Sequence, residues 1–259
     1  MIIWITGASS GIGEALAYAF AREGAHLILS ARNSAELERV KKNCIGASQV
    51  DIIPLDLGKH IEIFSIVGEA MKTYGKIDVL VNNAGLSQRS LTSETDFSVD
   101  KKLIDVNLLG TIAMTKAILP SMLAQRKGNI IVISSIMGKL GAPLRSSYAA
   151  AKHGLHGFFD TLRAETFTQG LKVLIVCPGF VRTNISMNAL TATGKNQGTM
   201  DEATGKGLDP NIVAQKIIAA MKAGREEIIL AEPRESFAVI VKRFFPKILS
   251  RIVRGAKTT

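Results

Sequence analysis

Cysteine is scarce in this chain: 259 residues hold two, Cys44 and Cys177. They lie far apart, which excludes a disulfide framework and any zinc-type cysteine spacing. Cys177 closes an apolar run from Val173 and reads as a small buried packing residue. The four histidines (His26, His60, His153, His156) form no ligand pattern either. His153 and His156 stand three apart, whereas a helical zinc pair needs four and a neighbouring Glu. No resident metal is expected. No apolar run approaches the roughly 18 residues of a membrane span. A strand pattern starts almost at Met1, leaving no room for a signal or transit peptide, so a cytoplasmic protein is expected.

Acidic residues are missing from one place. From Ser236 to the end there are none, against six basic ones: Lys242, Arg243, Lys247, Arg251, Arg254 and Lys257. The formal charge of +10 less these six leaves only +4 on the body. The basic character belongs largely to the tail, and no nucleic-acid partner is expected.

Apolar residues make up 47% and charged residues 21%, an ordinary globular composition with enough for a large core. Short apolar runs alternate with helical spacing. The strands are read at 2–6, 26–31, 51–55, 77–81, 129–134, 171–177 and 227–230, with a long helical stretch at 99–125 broken near Asp105. This alternation predicts one α/β domain over 1–235, a doubly wound parallel sheet of Rossmann type. In such sheets ligands bind beyond the carboxyl ends of the strands. Every candidate residue falls at such an end.

Gly7, Gly11 and Gly13 punctuate the first strand–helix turn, Thr6-Gly7-Ala8-Ser9-Ser10-Gly11-Ile12-Gly13. One glycine suffices for a plain turn. Three let backbone approach a pyrophosphate at a helix N-terminus. Arg32 ends the second strand, where an acidic residue would take the ribose hydroxyl of NAD. Its guanidinium instead suits a 2′-phosphate, so NADP(H) is expected over NAD(H). Asp56 reads either as an acceptor for adenine or as a helix cap. Asn82-Asn83-Ala84-Gly85 reads either as part of the adenosine path or as an Asn/Gly turn. Tyr148 and Lys152 are four apart on a helical segment and share a face. A tyrosine beside a positive charge becomes a better acid. Ser135, thirteen residues earlier, offers a hydroxyl to a carbonyl oxygen.

Together these residues resemble the short-chain dehydrogenase/reductase family, in order and over nearly the first 185 residues. The resemblance implies a seven-stranded sheet in order 3-2-1-4-5-6-7. It implies a catalytic tetrad of Asn107, Ser135, Tyr148 and Lys152, with Asn107 distorting its helix and positioning a water. It prefers Ser135 over Ser134 by its distance from the tyrosine. The implied cofactor set is Gly7, Ser9, Ser10, Gly11, Ile12, Gly13, Arg32, Asp56, Leu57, Asn83, Ala84, Gly85, Tyr148, Lys152, Pro178, Gly179, Val181 and Thr183. Thr183 resembles the residue that orients the nicotinamide amide. A homodimer or homotetramer is implied as well.

The expected function is hydride transfer between NADP(H) and a carbonyl or secondary alcohol. The alternative is a non-catalytic NADP(H)-binding regulator. A substrate loop is expected over 184–207, mobile and with Met187 and Leu190 as apolar contacts, so the substrate is read as lipophilic. Arg145 reads either as a pocket-mouth residue or as an exposed turn residue. The 236–259 tail repeats Phe237, Ile240, Val241, Phe244, Phe245, Ile248, Leu249, Ile252 and Val253 at helical spacing, with a kink at Pro246. It is expected to cover the loop or a partner subunit, to lie on the inner membrane surface, or to join the core.

Overall fold

Strands β1 (Ile2–Thr6), β2 (His26–Ser30), β3 (Gln49–Ile52), β4 (Val79–Asn82), β5 (Gly128–Ile133), β6 (Leu171–Pro178) and β7 (Glu227–Leu230) form one sheet. All pairs are parallel, in order β3-β2-β1-β4-β5-β6-β7. This computed structural model describes residues 1–255; Lys257 lies outside the described residues. The order reverses between β1 and β4, so the crevice of a doubly wound sheet opens there.

Ten helices are described: α1 (Gly11–Ala21), α2 (Ser34–Lys42), α3 (His60–Tyr74), α4 (Phe97–Ile104), α5 (Gly110–Gln125), α6 (Ser146–Glu165), α7 (Glu202–Gly205), α8 (Pro210–Lys222), α9 (Pro233–Phe244) and α10 (Pro246–Arg254). Strand residues alternate between the two faces. Ile3, Ile5, Leu27 and Leu29 pack with Leu16, Phe20, Leu37 and Ile217 on one side. Trp4, Ile28 and Leu80 pack with Ile63, Met114, Ile118, Leu155 and Phe159 on the other. Cys177 is fully buried in this second core, as its apolar run suggested. The Trp4 indole donates to Ser30 Oγ at 2.8 Å, so burying it leaves no orphan N–H.

Three elements differ from the sequence reading. β3 ends at Ile52 rather than Leu55, although the Ile53 and Leu55 amides still donate to the Leu29 and Ala31 carbonyls at 3.0 and 3.1 Å. The break near Asp105 is a π-turn, Asp105–Leu109, that joins α4 to α5 without a gap. The joined helix, Phe97–Gln125, is long and apolar enough by length and composition to cross a membrane. Its Leu103, Met114, Ile118 and Met122 are nevertheless fully buried in the cores. The tail is two helices rather than one kinked helix, with Phe245 (φ −133°, ψ 60°) between them. Its first helix starts at Pro233, behind a capping box of Glu232 and Glu235, so a boundary at 236 falls inside α9.

Candidate active site

The glycine turn is built before anything binds to it. Gly7 has φ +65° and Gly11 has φ +60°, the left-handed region that favours glycine. A Cβ on Gly13 would lie 2.2 Å from the Gly7 carbonyl oxygen, so the turn cannot close around a larger residue. Asn83 braces it from β4: its Nδ2 donates to the carbonyls of Thr6 (3.1 Å) and Gly7 (3.0 Å). The Asn83 side chain is therefore committed to the turn. Ser10 is the N-cap of α1, yet its side chain makes no capping bond. Its hydroxyl and the first amides of α1 are left to an anion, which a helix N-terminus favours.

Gly7 and Ser10 line a cavity of about 840 Å³ running from Arg32, Asp56 and Leu57 past Ser9 to Gly85. A second cavity shares Gly7, Ser10, Ala84 and Gly85 with it and continues to Ser135, Tyr148, Lys152, Pro178, Gly179, Val181 and Thr183. Ile12 lines this second part. The two together make a crevice from the end of β2 to the end of β6. All eighteen sequence-expected cofactor residues except Gly11 and Gly13 line it directly, and Asn83 braces it as well. Gly11 packs against Thr183: a Cβ there would meet Thr183 Cγ2 at 2.9 Å. Asp56 lines the end of the crevice beside Arg32. Its Oδ1 accepts from the Gly58 amide at 2.9 Å, a local turn ahead of α3.

Ser135 caps a short 3₁₀ turn, Ile136–Gly138, and its Oγ accepts from the Met137 amide at 3.1 Å. Ser134 turns away and meets His156 Nε2 at 3.1 Å. Asn107 sits in the π-turn, fully buried. Its Oδ1 accepts from the Leu86 amide (2.7 Å) and its Nδ2 donates to the Leu86 carbonyl (2.8 Å). The side chain thus clamps the strand end that carries Gly85. Lys152 donates to the Ile133 carbonyl at 2.7 Å and lies 5.8 Å from the Tyr148 ring centre. Burial pulls its pKa down to about 8.

Burial pushes the Tyr148 phenol up, because desolvation penalises the phenolate. Ser135 and the guanidinium groups of Arg145 and Arg89 pull it back. The lowering that the sequence reading ascribed to Lys152 therefore comes from Ser135 and two arginines.

Those arginines belong to a buried cluster that has no sequence signature. Asp201, from the 184–207 segment, accepts from Arg89 Nε at 2.8 Å and closely from Arg89 Nη2. Arg145 Nη2 stands 3.6 Å from the same oxygen. The three side chains are no more than 6% exposed. Arg145 is thus neither a pocket-mouth residue nor an exposed turn residue. Gln88 was missed as well. Fully buried, its Oε1 accepts from the amides of Ser147 (3.0 Å) and Tyr148 (3.3 Å) and so caps α6 from outside the helix. The segment expected to be mobile is tied down by Asp201 and by Leu190, whose amide donates to Ser87 at 2.9 Å. Leu190 is buried and lines the larger cavity, and Met187 is exposed.

Among the described residues, His156, Cys177 and Glu227 bring ligand-type atoms within 4.8 Å of one another. Lys139 already holds Glu227 at 2.6 Å, and burial raises the Cys177 thiol to about 12. Both oppose metal binding, which needs a free carboxylate and a thiolate.

Residues 1–193 match the family model for short chain dehydrogenases. The chain belongs to that family. A Drosophila melanogaster dehydrogenase/reductase SDR family protein 7-like is 40% identical over 253 residues, covering 95% of this chain and 77% of the relative. The Bos taurus dehydrogenase/reductase SDR family member 7B is 38% identical, covering 97% and 80%. Among solved structures, an alcohol dehydrogenase from Thermococcus sibiricus complexed with 5-hydroxy-NADP is 28% identical with a TM-score of 0.76, covering 88% of this chain and 95% of that one. The chain is thus a member of a family of short-chain oxidoreductases.

Proposed function

We propose that this chain is an NADP(H)-dependent reductase of a lipophilic carbonyl, reversible to the secondary alcohol. The observation that carries the reading is the continuous crevice, which joins an anion-ready glycine turn to Ser135, Tyr148 and Lys152. The crevice fits a nicotinamide dinucleotide: the α1 N-terminus and Ser10 would hold the pyrophosphate, Thr183 the nicotinamide amide, and Lys152 the ribose hydroxyls. Arg32 lines the end nearest β2 and would hold a 2′-phosphate. Glu36, which lines the same end, is taken by Arg39 at 2.7 Å.

When bound, the reduced cofactor supplies the hydride. Ser135 hydrogen-bonds the carbonyl oxygen as negative charge develops, which is where a donor lowers the barrier. Tyr148 gives its proton to that oxygen. Lys152 stabilises the phenolate left behind, and a water near Asn107 returns the proton. Leu86, Ile185 and Leu190 line the larger cavity beside the site, which suits an apolar substrate. The enzyme works in the cytoplasm as a homodimer or homotetramer.

The test is NADPH oxidation across aldehydes, ketosteroids, quinones and 3-ketoacyl esters, with Kd for NADPH and NADH. Turnover of an apolar member with tighter NADPH binding is expected. Tight NADPH binding without turnover would instead favour a regulator, and tighter NADH binding would reverse the cofactor assignment.

A further inference from the structure

The last two helices bury one side and leave the other bare. Val241 and Leu249 face inward against Leu140 and Met137. Phe237, Ile240 and Phe244 follow at spacings of three and four on the outer side of α9; Ile248 and Ile252 do so on α10. With Phe245 between them, all six are more than half exposed. At ordinary side-chain areas they present on the order of 600 Å² of apolar surface. A patch of that size marks a binding face rather than chance exposure.

Charge says what covers it. Lys242, Arg243, Lys247, Arg251 and Arg254 are all exposed on these two helices, and the chain has no acidic residue after Glu235. A second copy docked by two-fold symmetry would set five cations against five, since such an interface pairs one patch with itself. An anionic bilayer presents the opposite sign and an apolar layer beneath it. Basic residues flanking an apolar stripe are what an interfacial helix needs. A cleft of about 320 Å³ opens beside the stripe, with Lys242 and Arg254 among its lining and Pro246, Leu249 and Val253 as apolar walls. Its size and charge suit a phospholipid headgroup.

We propose that α9 and α10 dock the enzyme on an anionic phospholipid bilayer, with Phe237, Ile240, Phe244, Phe245, Ile248 and Ile252 entering the interface and the basic residues meeting headgroups. The face adjoins the catalytic crevice. Glu235 on α9 accepts from the Phe180 amide at 3.2 Å and packs on Gly179, which lines the nicotinamide side. An apolar substrate dissolved in the bilayer would thus lie near the mouth.

Vesicle flotation of the full chain tests this without any turnover, so it stands or falls apart from the proposed reaction. Vesicles of phosphatidylcholine alone and of phosphatidylcholine with phosphatidylglycerol are compared, with and without added salt. The wild type is expected to float with the anionic vesicles only, less so in salt. Lys247→Glu/Arg251→Glu/Arg254→Glu is expected to weaken binding by at least about 10²-fold, from roughly fivefold per basic residue near such a surface. Phe244→Ser/Phe245→Ser/Ile248→Ser is expected to lose binding while keeping the wild-type Tm and NADPH affinity, since these side chains point outward. No flotation of the wild type, equal flotation with neutral vesicles, or wild-type flotation of both variants would overturn the proposal. So would absent flotation with a drop in oligomer size in the serine variant, which would make the face a contact between copies.

Discussion

Asp201→Asn is the sharpest test of how residues 184–207 are held. The substitution keeps the shape of the side chain and removes the carboxylate charge between Arg89 and Arg145. Breaking a buried pair by losing one partner costs about 3–5 kcal/mol, because the remaining charge stays desolvated. The lower value, about 3 kcal/mol, applies here, since the asparagine oxygen can still accept from Arg89. That is about a 10²-fold shift in an equilibrium. Asp201 lies on a surface segment, so the cheapest response is for residues 184–207 to lift and let water reach the guanidinium groups. Hydrogen exchange should show it at Leu190, which donates to Ser87, and at Arg89, which donates to Leu190 at 2.8 Å. Both amides should exchange about 10²-fold faster, with KM raised and a smaller fall in Tm. The arginines hold the Asp201 carboxyl below its ordinary range. A depressed acid stabilises the fold above its unfolded pKa, about 3.9, and loses that contribution as pH falls through the lower folded value. The difference between wild type and variant should therefore be full at neutral pH and vanish in strong acid. Exchange unchanged within about twofold, with stability within about 0.5 kcal/mol, would refute the reasoning.

Three further outcomes follow from the site. Tyr148→Phe should lower the reduction rate by at least about 10²-fold, the low end for a proton-transfer group, and near-normal single-turnover rates would remove Tyr148 from the mechanism. Arg32→Glu should reverse the NADPH-to-NADH preference, read by fluorescence titration, and unchanged Kd values would free Arg32 of that role. Lys152, pulled down to about 8, carries its charge below that pH and loses it above. The reduction kcat/KM should be level below about 8 and fall as pH rises, with the limb absent in Lys152→Met; a wild-type profile level to high pH would contradict this.

The strands and most of the crevice were legible because each depends on local signals; the strand order followed from the family resemblance. A glycine that must have positive φ, an apolar run of strand length, and Tyr and Lys one helical turn apart are all visible within a few residues. The Asp201 cluster was not legible. Asp201 pairs with Arg89, more than a hundred residues away, and only the folded return of the segment across the post-β4 loop brings them together. Gln88 hid for the same reason. A glutamine after an Asn/Gly turn has no pattern, yet it supplies the cap that α6 lacks at Arg145. The tail was legible as amphipathic helix, since spacing and charge are local. Which side faces inward required Leu140 and Met137, from a different part of the chain.

The placement of cations around Tyr148 bears on the direction of the chemistry. Lys152 was expected to lower the phenol's pKa by proximity, but its ammonium is desolvated and bonded to the Ile133 carbonyl. Burial of the phenol then outweighs the help from Ser135, Arg145 and Arg89, and Tyr148 stays protonated in the free enzyme at neutral pH. A protonated phenol is the form a carbonyl reduction must start from. Alcohol oxidation must start from the phenolate, so its rate should climb with pH while the reduction rate declines. Asp201 enters this balance through the arginines: it sets where their charge sits relative to the phenol. The 184–207 segment and Tyr148 are thus coupled through one carboxylate.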